Sequence, residues 1–214
     1  MAEPLVIVGI GGFGREVADV VEAVNAAAVD PPWHLLGMID DRPSAVNLGR
    51  LNDRQLPFLG GVDAFLACGT PTAYVVGIGS PTVRRDLAAR FDAAGLEAAT
   101  LVHPSATCGS MVSIGAGSVV CPGARLGTNS TLGRHGQVNA NATVGHDSVL
   151  GDFVSLNPLA AISGDCAIGD SALIGVAGVV LNGLVVGAGS TVGGSACVVR
   201  DVAENMVVRG VPAR

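Results

Sequence analysis

His146 is followed at once by Asp147. A neutral imidazole can take a proton near neutral pH. A neighbouring carboxylate can hold one ring nitrogen, fix the tautomer and stabilise the imidazolium once it forms. The pair could serve as a general base without a covalent nucleophile; the bland alternative is a solvated surface histidine. The other histidines offer less. His135 lies in the same stretch of chain, His103 precedes Pro104 and reads as a boundary residue, and His34 follows Pro31-Pro32-Trp33 as a surface or packing residue. Catalytic zinc normally keeps three protein ligands, and His135 and His146 supply only two, so no metal is expected. Cys68, Cys108, Cys121, Cys166 and Cys197 form no CxxC pair. They read as reduced thiols of a cytoplasmic protein.

A second constellation sits near the start. An apolar run at 5–10 suits a buried parallel strand, and Gly9-Ile10-Gly11-Gly12-Phe13-Gly14 follows it. Val17, Val20, Val21 and Val24 then recur at helical spacing. Strand, glycines and helix make a mononucleotide-binding turn, in which a helix N-terminus offers unpaired N–H groups to phosphate. A second strand, 35–39, ends at Asp40-Asp41, where an acid can accept hydrogen bonds from a ribose or base. Gly11, Gly12, Phe13, Gly14, Asp40 and Asp41 are therefore expected to bind substrate. The spacing of Gly9, Gly11 and Gly14 also fits a dinucleotide fingerprint. A full dinucleotide fold needs two βαβαβ halves, however, and this part of the chain holds little more than one. A nucleotide-linked ligand is favoured over NAD, with a purely structural glycine turn as the third reading. Further on come a connecting segment with a short helix at 53–65, a strand at 74–78 and a helix at 84–96. Ser80 and Arg84 lie where a phosphate could rest; the alternative is a Ser N-cap and a solvated Arg.

The element that must carry His146 is a repeat. Ile114, Val120, Leu126, Leu132, Val138, Val144, Leu150, Leu156, Ile162, Ile168, Ile174, Val180, Val186, Val192 and Val198 are all aliphatic, fifteen positions at one spacing of six. At even odds per position, chance gives this roughly once in thirty thousand trials. A period of six drifts around a 3.6-residue helix, so a helix cannot use it. A parallel β-helix can: each unit is a short strand plus a corner, and three units close a coil of about eighteen residues. The aliphatic side chain points inward, and the small residue after it, often Gly, lets the backbone bend. Residues 114–198 would make about five coils. His135 and His146 fall three and two places after inward residues, where side chains point out at coil edges.

Bulk composition agrees. Aromatics are only 3% of the chain, as a narrow prism filled by Val, Ile, Leu and Ala requires. The net charge of −6, without a basic run, argues against nucleic acid. No run approaches the ~20 apolar residues of a membrane span, and no N-terminal signal stands out. Two domains are expected: a small Rossmann-like unit at 1–100 that binds a nucleotide-linked ligand and a β-helix at 101–214.

The hexapeptide repeat is similar to that of the left-handed β-helix acyltransferases, and the left hand is taken from that resemblance. The order of a Gly-rich βα turn, IGSPTVRRDL, LVHPSAT and hexapeptides carrying GHDSVLGDF resembles the sugar acetyltransferases related to sialic acid O-acetyltransferase, including the N-acetyltransferases of nucleotide-linked amino sugars. The ending VRGVPAR resembles the close of hexapeptide acyltransferases. The resemblance implies acetyl-CoA as co-substrate, a homotrimer with the thioester between neighbouring columns, and a sugar amine or hydroxyl as acceptor. It implies His146 as base, Asp147 as its partner and Asn139 as a polar group near the reacting atoms. It implies a backbone N–H of Gly164 at the thioester oxygen, and Val176 and Gly194 along the pantetheine groove. Some members have a cofactor-contacting His where Ser155 stands, and some have a His near the sugar where Phe13 stands. An amine on a nucleotide sugar is favoured. A sugar O-acetyltransferase and a non-enzymatic β-helix that only binds a nucleotide are the rivals.

Overall fold

In the computed structural model, which describes residues 1–214, the chain is a small α/β layer leaning on one side of a triangular column. The α/β part runs β1 (Glu3–Val8), α1 (Gly12–Ala27), β2 (Trp33–Ile39), α2 (Ala45–Asp53), α3 (Val62–Ala67), β3 (Ala73–Val76) and α4 (Pro81–Ala93). The strands are parallel in the order β2-β1-β3. Their C-terminal ends therefore meet on one side, where an open α/β sheet places its ligand crevice. The expected strands and helices are present within a few residues. The exception is α2, which was not expected; Ser44 caps it by accepting from the Asn47 N–H. No helix is long and apolar enough to cross a membrane.

The column is a left-handed parallel β-helix of about six coils. Its first face runs from Leu101–Val102 to Val207–Val208, its second from Thr107–Cys108 to Cys197–Val198, and its third from Ser113–Ile114 to Val185–Val186. Neighbouring strands pair eighteen residues apart, as in Gln137↔Ser155 and Val138↔Leu156, except at the end of the first face, where Thr191 pairs with Val207. The expectation of five coils from 114 falls short at both ends, because Leu101 and Val102 already pair with Val119 and Val120, and Thr191 and Val192 pair with Val207 and Val208. Every repeat aliphatic from Val120 to Val198 is buried.

The corners follow a strict local rule. From Ile114 to Val192, the third residue after each inward aliphatic adopts a left-handed backbone, with φ 58° at Asn129 and 57° at Asp147. Asn and Asp tolerate that region better than most residues. The glycine just after the inward residue has a different reason for being there than the bend expected of it. It lies where coils touch: a Cβ on Gly127 would sit 2.7 Å from the backbone nitrogen of His146 one coil on.

The two parts share a core. Val17, Val20 and Val21 of α1 bury against Leu101, Val119 and Cys121 of the first face. Arg84, on α4, clasps them together. It is fully buried, and its guanidinium donates to the carbonyls of His135, Ile78, Gly79 and Phe153 and to Ser155 Oγ. Both expectations for Arg84, phosphate contact and solvation, are thus overturned. Its donors are spent on carbonyl oxygens, and burial pushes its pKa down to about 9.

Candidate active site

His146 stands on the edge that follows the second face, two places after inward Val144. Its Nδ1 lies 2.7 Å from Asp147 Oδ2. The other Asp147 oxygen accepts from Asn129 Nδ2, also at 2.7 Å, one coil earlier. These two contacts, Asn129 first, hold the Asp147 carboxyl below the usual carboxylate range. With an ionised carboxylate at Nδ1, the proton of a neutral imidazole sits there and the Nε2 lone pair is free. The ring lies over Gly164 in the next coil, where a Cβ would come within 2.5 Å of Nε2. Gly164 is what allows the ring to lie there.

The backbone around the ring is not saturated. The N–H groups of His146 and Gly164 donate to nothing within the chain, and on the edge after the first face those of Val176 and Gly194 are free as well. At the same place in the repeat, Arg134 and Asp152 have their N–H groups capped by the carboxylates of Asp152 and Asp170. An open N–H is the usual state at this place in the repeat, as at Thr128 and Asp170, and the two capped groups are the exceptions.

The remaining expected residues are scattered. Asn139, Val176 and Gly194 lie on a different edge, the one after the first face. The Asn139 amide donates to the Leu156 carbonyl at 2.8 Å, and no hydrogen bond joins it to His146. Ser155 lines no groove. It is fully buried under α4, where it donates to the Gly79 carbonyl and accepts from Arg84. His135 also departs from expectation: it leaves the column but is fully covered by the α/β part. Its ring stacks on Phe153 at 5.1 Å between centroids, and its Nε2 is 3.5 Å from the Tyr74 hydroxyl. Burial pushes its pKa down to about 4. Its backbone is left-handed, as is that of Phe153 eighteen residues on. Two bulky rings at consecutive left-handed corners were a readable signal that something covers them.

At the C-terminal ends of the three-stranded sheet lies a cleft of about 400 Å³. Asp40, Asp41, Arg42, Ile78 and Arg90 are among its lining residues; Gly11, Gly12, Phe13, Gly14 and Ser80 are not. Asp40 is partly spent, since its carboxylate accepts from the Ile10 and Arg42 N–H groups. Asp41 accepts from the Val62 N–H and pairs with Arg90, which lowers its pKa. Phe13 is half-buried and packs into the core under α1, away from the cleft. Gly14 is buried with its Cα against the Gly9 carbonyl, so it serves close helix–strand packing. Gly11 and Gly12 are open, and α1 begins there without a side-chain cap. Ser80 is exposed at the start of α4, in a second cleft of about 500 Å³ with Arg85, Asp170 and Thr191. No three His, Cys, Asp or Glu side chains lie close enough to hold a metal ion.

A β-helix of six-residue units with a His–Asp pair on its edge, joined to a small α/β layer open at its strand tips, defines a hexapeptide-repeat sugar acyltransferase. Residues 4–91 match the family described as the PglD N-terminal domain. The acetyltransferase domain of PglB from Neisseria gonorrhoeae FA1090, solved with acetyl coenzyme A, is 32% identical; the match covers 100% of this chain and 99% of that one, with a TM-score of 0.85. A mutant of perosamine N-acetyltransferase from Caulobacter crescentus, solved with CoA and GDP-perosamine, is 29% identical over 99% and 95% of the chains, at 0.85. WeeI from Acinetobacter baumannii AYE is 27% identical over 98% of each, at 0.83. No curated protein matches the sequence. The chain belongs to the nucleotide-amino-sugar acetyltransferases of the hexapeptide β-helix family.

Proposed function

We propose that this protein transfers an acetyl group from acetyl-CoA to the amine of a nucleotide-linked amino sugar, with His146 as general base. The observation that carries this reading is the His146–Asp147 pair, 2.7 Å apart, with Nε2 free above Gly164. In one step the neutral amine attacks the thioester carbon and Nε2 takes the proton that the nitrogen sheds. The Gly164 N–H, unpaired within the chain, donates to the oxygen as its charge develops. Collapse breaks the C–S bond and the CoA thiolate leaves. The amine route is favoured over the hydroxyl because a similar enzyme is solved as a perosamine N-acetyltransferase with CoA and GDP-perosamine.

The α/β part, residues 1–100, would hold the nucleotide in the cleft by Asp40 and Asp41, with carboxylate oxygens facing donor groups of a base or ribose. Asn139, Val176 and Gly194 share one edge, and His146 and Gly164 share another. A single column cannot present both edges to one ligand. A homotrimer in which the first edge of one copy meets the second edge of its neighbour would bring them to one groove. Five free cysteines, two of them exposed, suit a reducing cytoplasm.

CoA release, followed with a thiol reagent against UDP-, dTDP- and GDP-linked amino and hydroxy sugars, tests the whole reading. Release is expected with one amino sugar and to vanish in His146→Ala. A rate unchanged in His146→Ala removes the base, and release only with hydroxy sugars replaces N- by O-transfer. A monomer by light scattering with full activity removes the intersubunit groove.

A further inference from the structure

We infer that Asn129 is a positioning residue for the acetyl transfer, acting through Asp147 on His146; the inference rests on His146 being the base. His146 and Asp147 are neighbours in sequence on an outward corner, with side chains 60% and 43% exposed. An exposed pair of this kind is weakly held, because water competes for both partners and two side chains must be fixed to join them. A base that has to keep one tautomer and one ring orientation needs a further constraint, and Asn129 supplies it. Its amide donates to Asp147 Oδ1 at 2.7 Å, which leaves Oδ2 as the oxygen turned to His146 Nδ1.

The backbones that carry this contact are fixed by the column. Asn129 and Asp147 occupy the same left-handed corner position in consecutive coils. The Asn129 N–H donates to the Ser110 carbonyl and the Asp147 N–H to the Thr128 carbonyl, so both backbones are tied into the stack. A side chain that fits a left-handed corner, donates hydrogen bonds and carries no charge is required here. Asn meets all three conditions; Asp at this position would set two carboxylates against each other. Above, in the next coil, Asp165 has the same backbone but makes no side-chain hydrogen bond to Asp147. The constraint on Asp147 comes from below alone.

Asn129→Gly keeps the left-handed backbone and removes the amide. Its kcat is expected to fall about 10-fold, a modest share of what a positioned base supplies, with KM for both substrates within about twofold. Losing a held carboxylate disfavours the imidazolium, so the acid limb of the kcat/KM profile moves to lower pH. Asn129→Asp keeps size and backbone but cannot donate, so it should not restore kcat. Nitrogen-15 NMR of the imidazoles, with the His146 signal identified by its loss in His146→Ala, should show one neutral tautomer in the parent and a mixture in Asn129→Gly. If Asn129→Gly matches the parent in kcat, pH profile and tautomer while His146→Ala is inactive, the inference fails and the base stands. If His146→Ala stays active, both fall. Should Asn129→Gly prove unstable, Asn129→Asp decides: parental kcat and tautomer there overturn the inference.

Discussion

Two corners of the same column, those of His135 and His146, carry the same residue type one register position apart. They behave as opposites. His146 is open to solvent, paired with Asp147, and lies over a glycine. His135 is sealed under α4 between Phe153 and Tyr74, and its Nδ1 has no partner. The repeat dictates the backbone at both places, but whatever covers the column decides what the imidazole can do. A histidine on a bare edge can exchange protons with a substrate. A histidine beneath the α/β part is a neutral packing element whose protonation opposes folding.

The contrast is largest in catalysis. His146→Ala is expected to lower kcat by about 10²–10⁴-fold, the share a positioned base supplies, while the unfolding midpoint stays near that of the parent. Steady-state CoA release and a denaturant titration check both halves. A variant equally crippled in stability would make the bare corner structural, like its neighbour.

The covered corner should show the reverse. Arg84→Met strips the donors from six oxygen acceptors, four of them on the column, and is expected to cost roughly 3–5 kcal/mol of stability. Arg84→Lys restores the charge but only three donors, so it should recover part of that loss. Chemical denaturation reads both variants. Equal stability of parent and Arg84→Met would mean that the clasp is dispensable.

Acid should distinguish the two corners as well. His135 has a folded pKa of about 4, well below the usual value of about 6.5, so the unfolded chain binds the extra proton. Its effect is a loss of stability that begins as pH falls through about 6.5 and levels off below about 4. The total is on the order of 3 kcal/mol. The charged and titratable groups around it are Arg84, Arg134, Asp92, Asp152 and Tyr74. His135→Phe, which keeps the stacked ring, should flatten stability against pH in that window. An unchanged slope would assign the acid sensitivity elsewhere.

The legibility of the chain follows from the same contrast. The column could be read because each unit repeats one local signal: an aliphatic residue that points inward, often followed by a small one. The glycine turn and parallel strands could be read because their signals lie within a few residues of each other. What joins the two parts could not. Arg84, Tyr74, His135, Gln137 and Ser155 meet across separations of fifty residues or more, such as 51 for Arg84 to His135 and 71 for Arg84 to Ser155. No periodicity records such contacts. Asn129 carries no signal in the sequence because Asn is ordinary at its corner, and only the stacking of coils aims it at Asp147. The one available hint of the covered face was composition: His135 and Phe153 are rings where the repeat favours small or amide side chains.

Ser155 gives the smallest and most selective test of the contrast. In relatives the resemblance assigns its place to the cofactor, yet here its hydroxyl is enclosed, donating to Gly79 and accepting from Arg84. Ser155→Ala removes two hydrogen bonds without creating a large cavity. The Gly79 carbonyl keeps its Arg84 contact at 3.2 Å, so only part of the loss is felt, about 1 kcal/mol. The KM for acetyl-CoA should be unchanged, because no face of the residue reaches solvent. A raised KM with parental stability would place position 155 on the cofactor path and erase the difference between the covered and the bare sides of the column.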